Sequence, residues 1–158
     1  MNRALIINLG FDEKFAIRAL TRHGVSKGDK VILLTGPRVE RVEKAASYVR
    51  TFLEKYYPGE AELEVVEVPV NDFYDAVSRV MNTLRGVSRK ERIIVNLSGG
   101  MRIVVLAVFT ALMLLGLEGL TVEVEAEDTS AYVTIDPRAL RSIVAVERLS
   151  REKRCLLY

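Results

Sequence analysis

Ser98-Gly99-Gly100-Met101-Arg102 is the stretch best equipped to meet a charged ligand. Two adjacent glycines let the main chain approach a ligand closely. If the loop opens a helix, free N–H groups and the macrodipole favour an anion there. Ser98 adds a hydroxyl, and Arg102 adds a guanidinium that can grip phosphate with two parallel hydrogen bonds. The same residues also suit a plain strand-to-helix turn, with Ser98 as N-cap and the glycines as turn residues. The Gly-x4-Gly-Lys-Ser/Thr spacing of a P-loop is absent. Three more loops end apolar runs in a similar way: Gly10-Phe11-Asp12, Gly36-Pro37-Arg38 and Asn71-Asp72. Gly10 does not open a Gly-x-Gly-x-x-Gly pattern, which disfavours dinucleotide binding of the NAD type.

Asn8 and Asn96 each sit near the end of an apolar run. A buried amide needs partners, and each asparagine reads either as a bond to neighbouring loop backbone or as a contact to a ligand base edge. Asp12 and Glu13 read as first-turn residues that complement a helix dipole and would repel a phosphate. His23, the chain's one histidine, falls at a helix C-terminus and reads as surface capping. A single histidine and a single cysteine, Cys155, argue against zinc or iron centres and exclude an internal disulfide. The expected cofactor set is therefore empty. A Ser-His-Asp triad could form only around His23.

The elements that must carry these loops alternate. Leu5-Ile6-Ile7-Asn8-Leu9 and Val31-Ile32-Leu33-Leu34-Thr35 are short apolar runs closed by glycine, as strands buried on both faces are. Asp12–Arg22 and Arg38–Tyr57 carry apolar residues at helical spacing, ended by His23-Gly24 and by Pro58-Gly59. Leu63–Val70, interrupted by Pro69, predicts a strand near an edge. Asn71-Asp72 caps a helix over Phe73–Arg85, with Gly86 as its stop. Ile93-Ile94-Val95-Asn96-Leu97 predicts a fourth strand, and Met101–Leu117 the most apolar helix. Leu120–Glu127 alternates as a one-sided strand does. Asp128-Thr129-Ser130 then turns the chain into Tyr132-Val133-Thr134-Ile135, completing a hairpin. The expected fold is α/β: a Rossmann-like, mostly parallel six-stranded sheet with a C-terminal antiparallel hairpin and helices on both faces. In the usual 3-2-1-4 order the first and fourth strands are neighbours. Gly10 and Ser98-Gly99-Gly100 then share the crevice where strand order reverses.

The chain has 158 residues, 49% apolar and 28% charged, which suits one globular domain. A net charge of +2 is too small for a polyelectrolyte partner of nucleic acid, so any anion site must be local. The charge is uneven. Residues 138–158 hold six basic side chains against Glu147 and Glu152, a balance of +4, which leaves −2 on residues 1–137. The first part is read as a ligand-binding domain and the second as a basic linker or helix. Leu149-Ser150 followed by Arg151-Glu152-Lys153-Arg154 reads as an N-cap serine and the first helix of a domain cut short. The apolar run Ile103–Leu117 falls short of the roughly 20 residues a bilayer needs, so no membrane partner is expected. Nor does the N-terminus resemble a signal peptide, and a cytoplasmic location is expected. A nearly all-apolar helix beside a ligand crevice is either sandwiched in the core or buried in a twofold dimer.

Asn8-Leu9-Gly10-Phe11-Asp12-Glu13-Lys14-Phe15 after a buried first strand resembles the start of CARF (CRISPR-associated Rossmann fold) domains. Asn96-Leu97-Ser98-Gly99-Gly100-Met101-Arg102 resembles the second signature of that family, after its fourth strand. The match is closest to the CARF domains of archaeal CRISPR transcriptional regulators, in which a winged helix-turn-helix follows, and it covers residues 1 to about 136. The resemblance implies a homodimer that binds cyclic oligoadenylate, in particular cyclic tetra-adenylate, across its twofold axis. A ring with twofold symmetry suits an isologous interface. On this reading Ser98, Gly99, Gly100 and Arg102 meet the phosphates, Met101 belongs to the same ligand-binding stretch, Gly10 and Phe11 line the ring's edge, and Gly36 and Pro37 are outer contacts. Asn8 and Asn96 complete the candidate set. DNA would be reached only through a C-terminal domain absent from this chain.

Some members of the family are ring nucleases, in which the ribose 2′-hydroxyl attacks the adjacent phosphate without a metal and the protein orients and stabilises charge. Here Arg102 stands where such enzymes often carry lysine, and Phe11 stands where a hydroxyl residue would help. Both departures favour a sensor over an enzyme. Binding of some other nucleotide is the third alternative.

Overall fold

In a computed structural model the chain is described over residues 3–87, 92–126 and 131–155, with side chains as far as residue 147 in the last segment. The elements run β1 (Arg3–Leu9), α1 (Lys14–His23), β2 (Asp29–Thr35), α2 (Glu40–Tyr56), β3 (Ala61–Glu67), α3 (Phe73–Val87), β4 (Arg92–Asn96), α4 (Arg102–Leu115), β5 (Leu120–Glu125), β6 (Tyr132–Ile135) and α5 (Pro137–Cys155). They build one six-stranded sheet in the order β3-β2-β1-β4-β5-β6. All pairings are parallel except the β5-β6 hairpin. The expected α/β, Rossmann-like class, its antiparallel end and its edge strand β3 are all present.

Alternation along the strands gives the sheet two apolar faces. Ala4, Ile6, Ile32, Leu34, Ile93 and Val95 face α3 and α4, where Val80, Leu84, Val104, Val108 and Leu112 cover them. Leu5, Ile7, Leu9, Val31 and Leu33 face α1 and α2, under Ala16, Leu20, Ala45 and Val49. Both faces of β1, β2 and β4 are therefore dry, as their unbroken apolar runs require. At the amino end of the sheet, Arg3 closes the structure. Its guanidinium donates to the buried Asp29 carboxylate (Nη2···Oδ2 2.6 Å) and to the carbonyls of His23 and Gly24 at the end of α1. Among the described residues no helix is long and apolar enough to cross a membrane.

Several local expectations need correction. Gly86 does not stop α3, which runs on to Val87, because a helix tolerates one glycine where packing on the sheet continues. Ser98 caps nothing. Met101, with extended backbone, occupies the N-cap of α4 and offers no side-chain bond. The tail is a single helix from Pro137 to Cys155, so Ser150 lies inside it and starts no new element. The turn Asp128-Thr129-Ser130 lies outside the described residues. By contrast, Asp72 Oδ1 accepts from the amides of Tyr74 (2.8 Å) and Asp75 (3.0 Å), as an N-cap should.

Candidate functional site

Strand order reverses between β1 and β4, and the loops that leave their carboxyl ends meet there. The contact is main chain on main chain. A Cβ on Gly10 would stand 3.2 Å from Gly100 N, and one on Gly99 would stand 3.0 Å from Asn8 O. Gly100 itself has φ +90°, a conformation that side chains strain to adopt, and its missing Cβ would lie 3.2 Å from Asn8 Cβ. Glycine at these three positions is what lets the two loops close.

Above that floor lies a cavity of about 540 Å³. Gly10 and Phe11 line one side, Gly36 and Pro37 another, and Ser98, Gly99, Gly100, Met101 and Arg102 the third. The structure thus brings these predicted residues together. Asn8 and Asn96 do not line the cavity; both are 1% exposed beneath it. Asn8 points to the α3–α4 face, and among the described residues neither atom of its amide has a partner. Leu9, Asp12, Phe15, Val39 and Val42 also line the wall. Sequence reasoning missed Val42, whose helical spacing spoke only for the core, and Val39, the residue that precedes α2.

The polar character of the cavity is one-sided. Among the described residues, the first main-chain bond of α4 runs from Val105 N to Met101 O (3.0 Å), which leaves the amides of the opening turn directed outward. Arg102, exposed at the head of α4, has no carboxylate partner among the described residues. Ser98 Oγ accepts from Glu125 N at 2.8 Å, so the hydroxyl is left to donate. Asp12 Oδ1 is turned to the Lys14 amide (2.8 Å) at the entry to α1. Phe11 is 53% exposed, and Arg41 of α2 lies over its ring, 4.7 Å from the centroid. A cavity with an apolar wall, a donor-rich corner and one free guanidinium can hold an anionic ligand with a planar apolar part.

His23 is a correction of another kind. It is not a surface cap: Nε2 stands 2.9 Å from Glu123 Oε2, and the ring is largely covered. The sequence reading also missed the two carboxylates of β5, Glu123 and Glu125, which are buried on the α1 face. The alternating pattern of Leu120–Glu125 suggested a solvent face for them, but α1 lays Arg18, Arg22 and His23 over that face.

A family model described as the Csa3 CRISPR-associated Rossmann-like domain matches residues 3–136. The chain belongs to the Csa3 CRISPR-associated Rossmann-like domain family. No curated protein sequence matches it. Among solved structures, this Csa3-type domain is similar to Can2 from Sulfobacillus thermosulfidooxidans, solved in complex with cyclic tetra-adenylate. The TM-score is 0.65 at 16% identity, over 84% of this chain and 34% of Can2. It is also similar to VC1899 from Vibrio cholerae, with a TM-score of 0.66 at 14% identity, over 85% of this chain and 33% of the other. The Csa3-type domain thus spans about a third of the length of the solved proteins it matches, and at such identities the likeness is one of fold.

Proposed function

We propose that this Csa3-type domain is a cyclic oligoadenylate sensor of CRISPR signalling, and that cyclic tetra-adenylate is its ligand. The observation that carries the reading is the cavity over the Gly10–Gly100 contact. Its corner gathers donors: the opening amides of α4, the Ser98 hydroxyl and the Arg102 guanidinium. Phosphate oxygens are acceptors, and a helix N-terminus with a free arginine suits them. Phe11, Pro37 and Met101 supply apolar walls for a nucleobase. The fold shared with Can2, which was solved with the cyclic tetra-adenylate ring, points the same way.

The working form in this reading is a homodimer. Leu106 and Leu114 of α4 are 57% and 64% exposed, with Phe109 and Met113 half-buried beside them. This outward apolar face begins at Arg102 and so runs on from the cavity. A twofold partner on it would set two donor corners against one twofold ring. Transcriptional control, on the same reading, is exerted through the C-terminal helix and whatever it carries. Cleavage of the ring is the second reading. It is disfavoured because the cavity presents Arg102 where such enzymes often carry lysine, and Phe11 where a hydroxyl residue would help.

Incubation with radiolabelled cyclic tetra-adenylate tests both. Recovery of bound, intact ring supports the sensor. Linear products ending in a cyclic phosphate would replace it with the nuclease. Absence of binding at micromolar protein would refute both.

A further inference from the structure

The β4–α4 loop is held from the side by strand β5. Asn96, at the end of β4, uses both ends of its amide: Nδ2 donates to Glu123 Oε1 at 2.8 Å, and Oδ1 accepts from Ser98 N at 3.0 Å. Glu123 is held in turn by His23 (2.9 Å) and Arg22 (3.4 Å) of α1. Two residues on, the main-chain N–H of Glu125 donates to Ser98 Oγ at 2.8 Å. The Glu125 carboxylate is fixed by Arg18 and by the Tyr132 hydroxyl, which donates at 2.6 Å. Ser98 is therefore tied at both its amide and its hydroxyl: one tie runs through Asn96 to the buried Glu123 carboxylate anchored on α1, and the other ends on the main chain of β5.

Burial raises the Glu123 carboxyl, but the hydrogen bonds from His23 and Asn96, with the charges of His23 and Arg22, outweigh it and hold the group below the usual carboxylate range. Glu123 is thus a charged acceptor at neutral pH, the kind that grips an amide hardest.

We propose that Asn96 and Glu123 are positioning residues for ligand recognition: with the Glu125 main chain they fix Ser98 so that its hydroxyl proton is held ready for an acceptor on the ligand. None of the three lines the cavity. They act through the loop, and they hold a donor in place for a ligand's acceptor oxygens. The inference rests on the sensor reading for its ligand, but its structural half can be tested without one.

Amide hydrogen exchange of the ligand-free wild-type protein is the first measurement. The Ser98 amide, bonded to Asn96, should exchange more slowly than that of Gly99, which donates to nothing among the described residues. Equal exchange would overturn the proposal. The second measurement is cyclic tetra-adenylate affinity in Asn96→Leu, Glu123→Leu and Glu123→Gln. The two leucine variants should bind roughly tenfold more weakly, as for a lost buried hydrogen bond. Their Ser98–Gly100 amide resonances should move, while those of Tyr74 and Asp75 at the start of α3 stay in place. Glu123→Gln, which keeps an acceptor for Asn96, should recover most of the affinity. Wild-type affinity in Asn96→Leu, or equal losses in both Glu123 variants, would sink the idea. If the wild-type protein binds no ring, the sensor reading fails, and the exchange measurement alone decides whether the loop is held in this way.

Discussion

Replacing Gly100 with alanine strikes the contact on which the cavity stands. The backbone there has φ +90°, where an L-residue carries a strain of about 1–3 kcal/mol. The new methyl would also stand 3.2 Å from Asn8 Cβ, on a central strand that cannot retreat. We therefore expect Gly100→Ala to destabilise the fold by about 2–3 kcal/mol, lowering the thermal midpoint by roughly 4–12 °C for a chain of this size. The control is the same substitution at Gly86, inside α3, where the added methyl meets nothing within 4 Å and φ is not positive. There alanine should stabilise, by about 0.5 kcal/mol, through helix propensity. Urea unfolding of both variants beside the wild type reads the difference, with unchanged m-values showing that the same transition is compared. Gly100→Ala within 0.5 kcal/mol of wild type would refute the strain argument, whatever the ligand proves to be. Opposite signs from one chemical change at two glycines would support it.

Arg102→Ala should weaken cyclic tetra-adenylate binding by about 1–3 kcal/mol, on the scale of a lost charged hydrogen bond, with stability unchanged; calorimetric titration checks it. Leu106→Glu should leave the fold intact and shift the protein to a monomer by sedimentation, since it puts a charge on the apolar face of α4. Arg3→Met strands the buried Asp29 charge and should cost about 3–5 kcal/mol in denaturant unfolding. Burial raises the Asp29 carboxyl, but Arg3 and the amides of Ser26 and Arg3 bring it below its ordinary 3.8. Such a group contributes stability above its unfolded value, and that contribution is lost as pH falls through the folded value. Stability should thus decline below about pH 4, and less steeply in Asp29→Asn.

The parallel strands and the two outward-turning loops were legible because β1, β2 and β4 are apolar on both faces and each is closed by glycine or a polar residue. That pattern has few other solutions. The antiparallel end was legible from the alternation of Leu120, Val122 and Val124. What alternation hid was the fate of the other face. Glu123 and Glu125 look solvent-bound in sequence, and only the approach of α1, about a hundred positions away, buries them against Arg18, Arg22 and His23. Ser98 was similarly misplaced by local reasoning. Its hydroxyl is claimed by Glu125 N, a partner no local pattern names. Tertiary pairing of polar side chains leaves no periodic trace, whereas apolar burial does.

The cavity floor contains almost no side chain. Where the two loops touch, Gly10 and Gly100 present bare peptide, and peptide cannot be exchanged by substitution. Variation in ligand preference is confined to the rim, to Phe11, Pro37, Met101 and Arg102, each of which can change without disturbing what lies beneath. Met101 illustrates the division: its sulfur lies over Gly36, in the space a Cβ there would need. Trading size between positions 36 and 101 would reshape the wall and leave the floor alone. A library built on the rim residues should therefore retain folding while ranging widely in the rings it accepts, whereas one that includes positions 10 and 100 should lose both together.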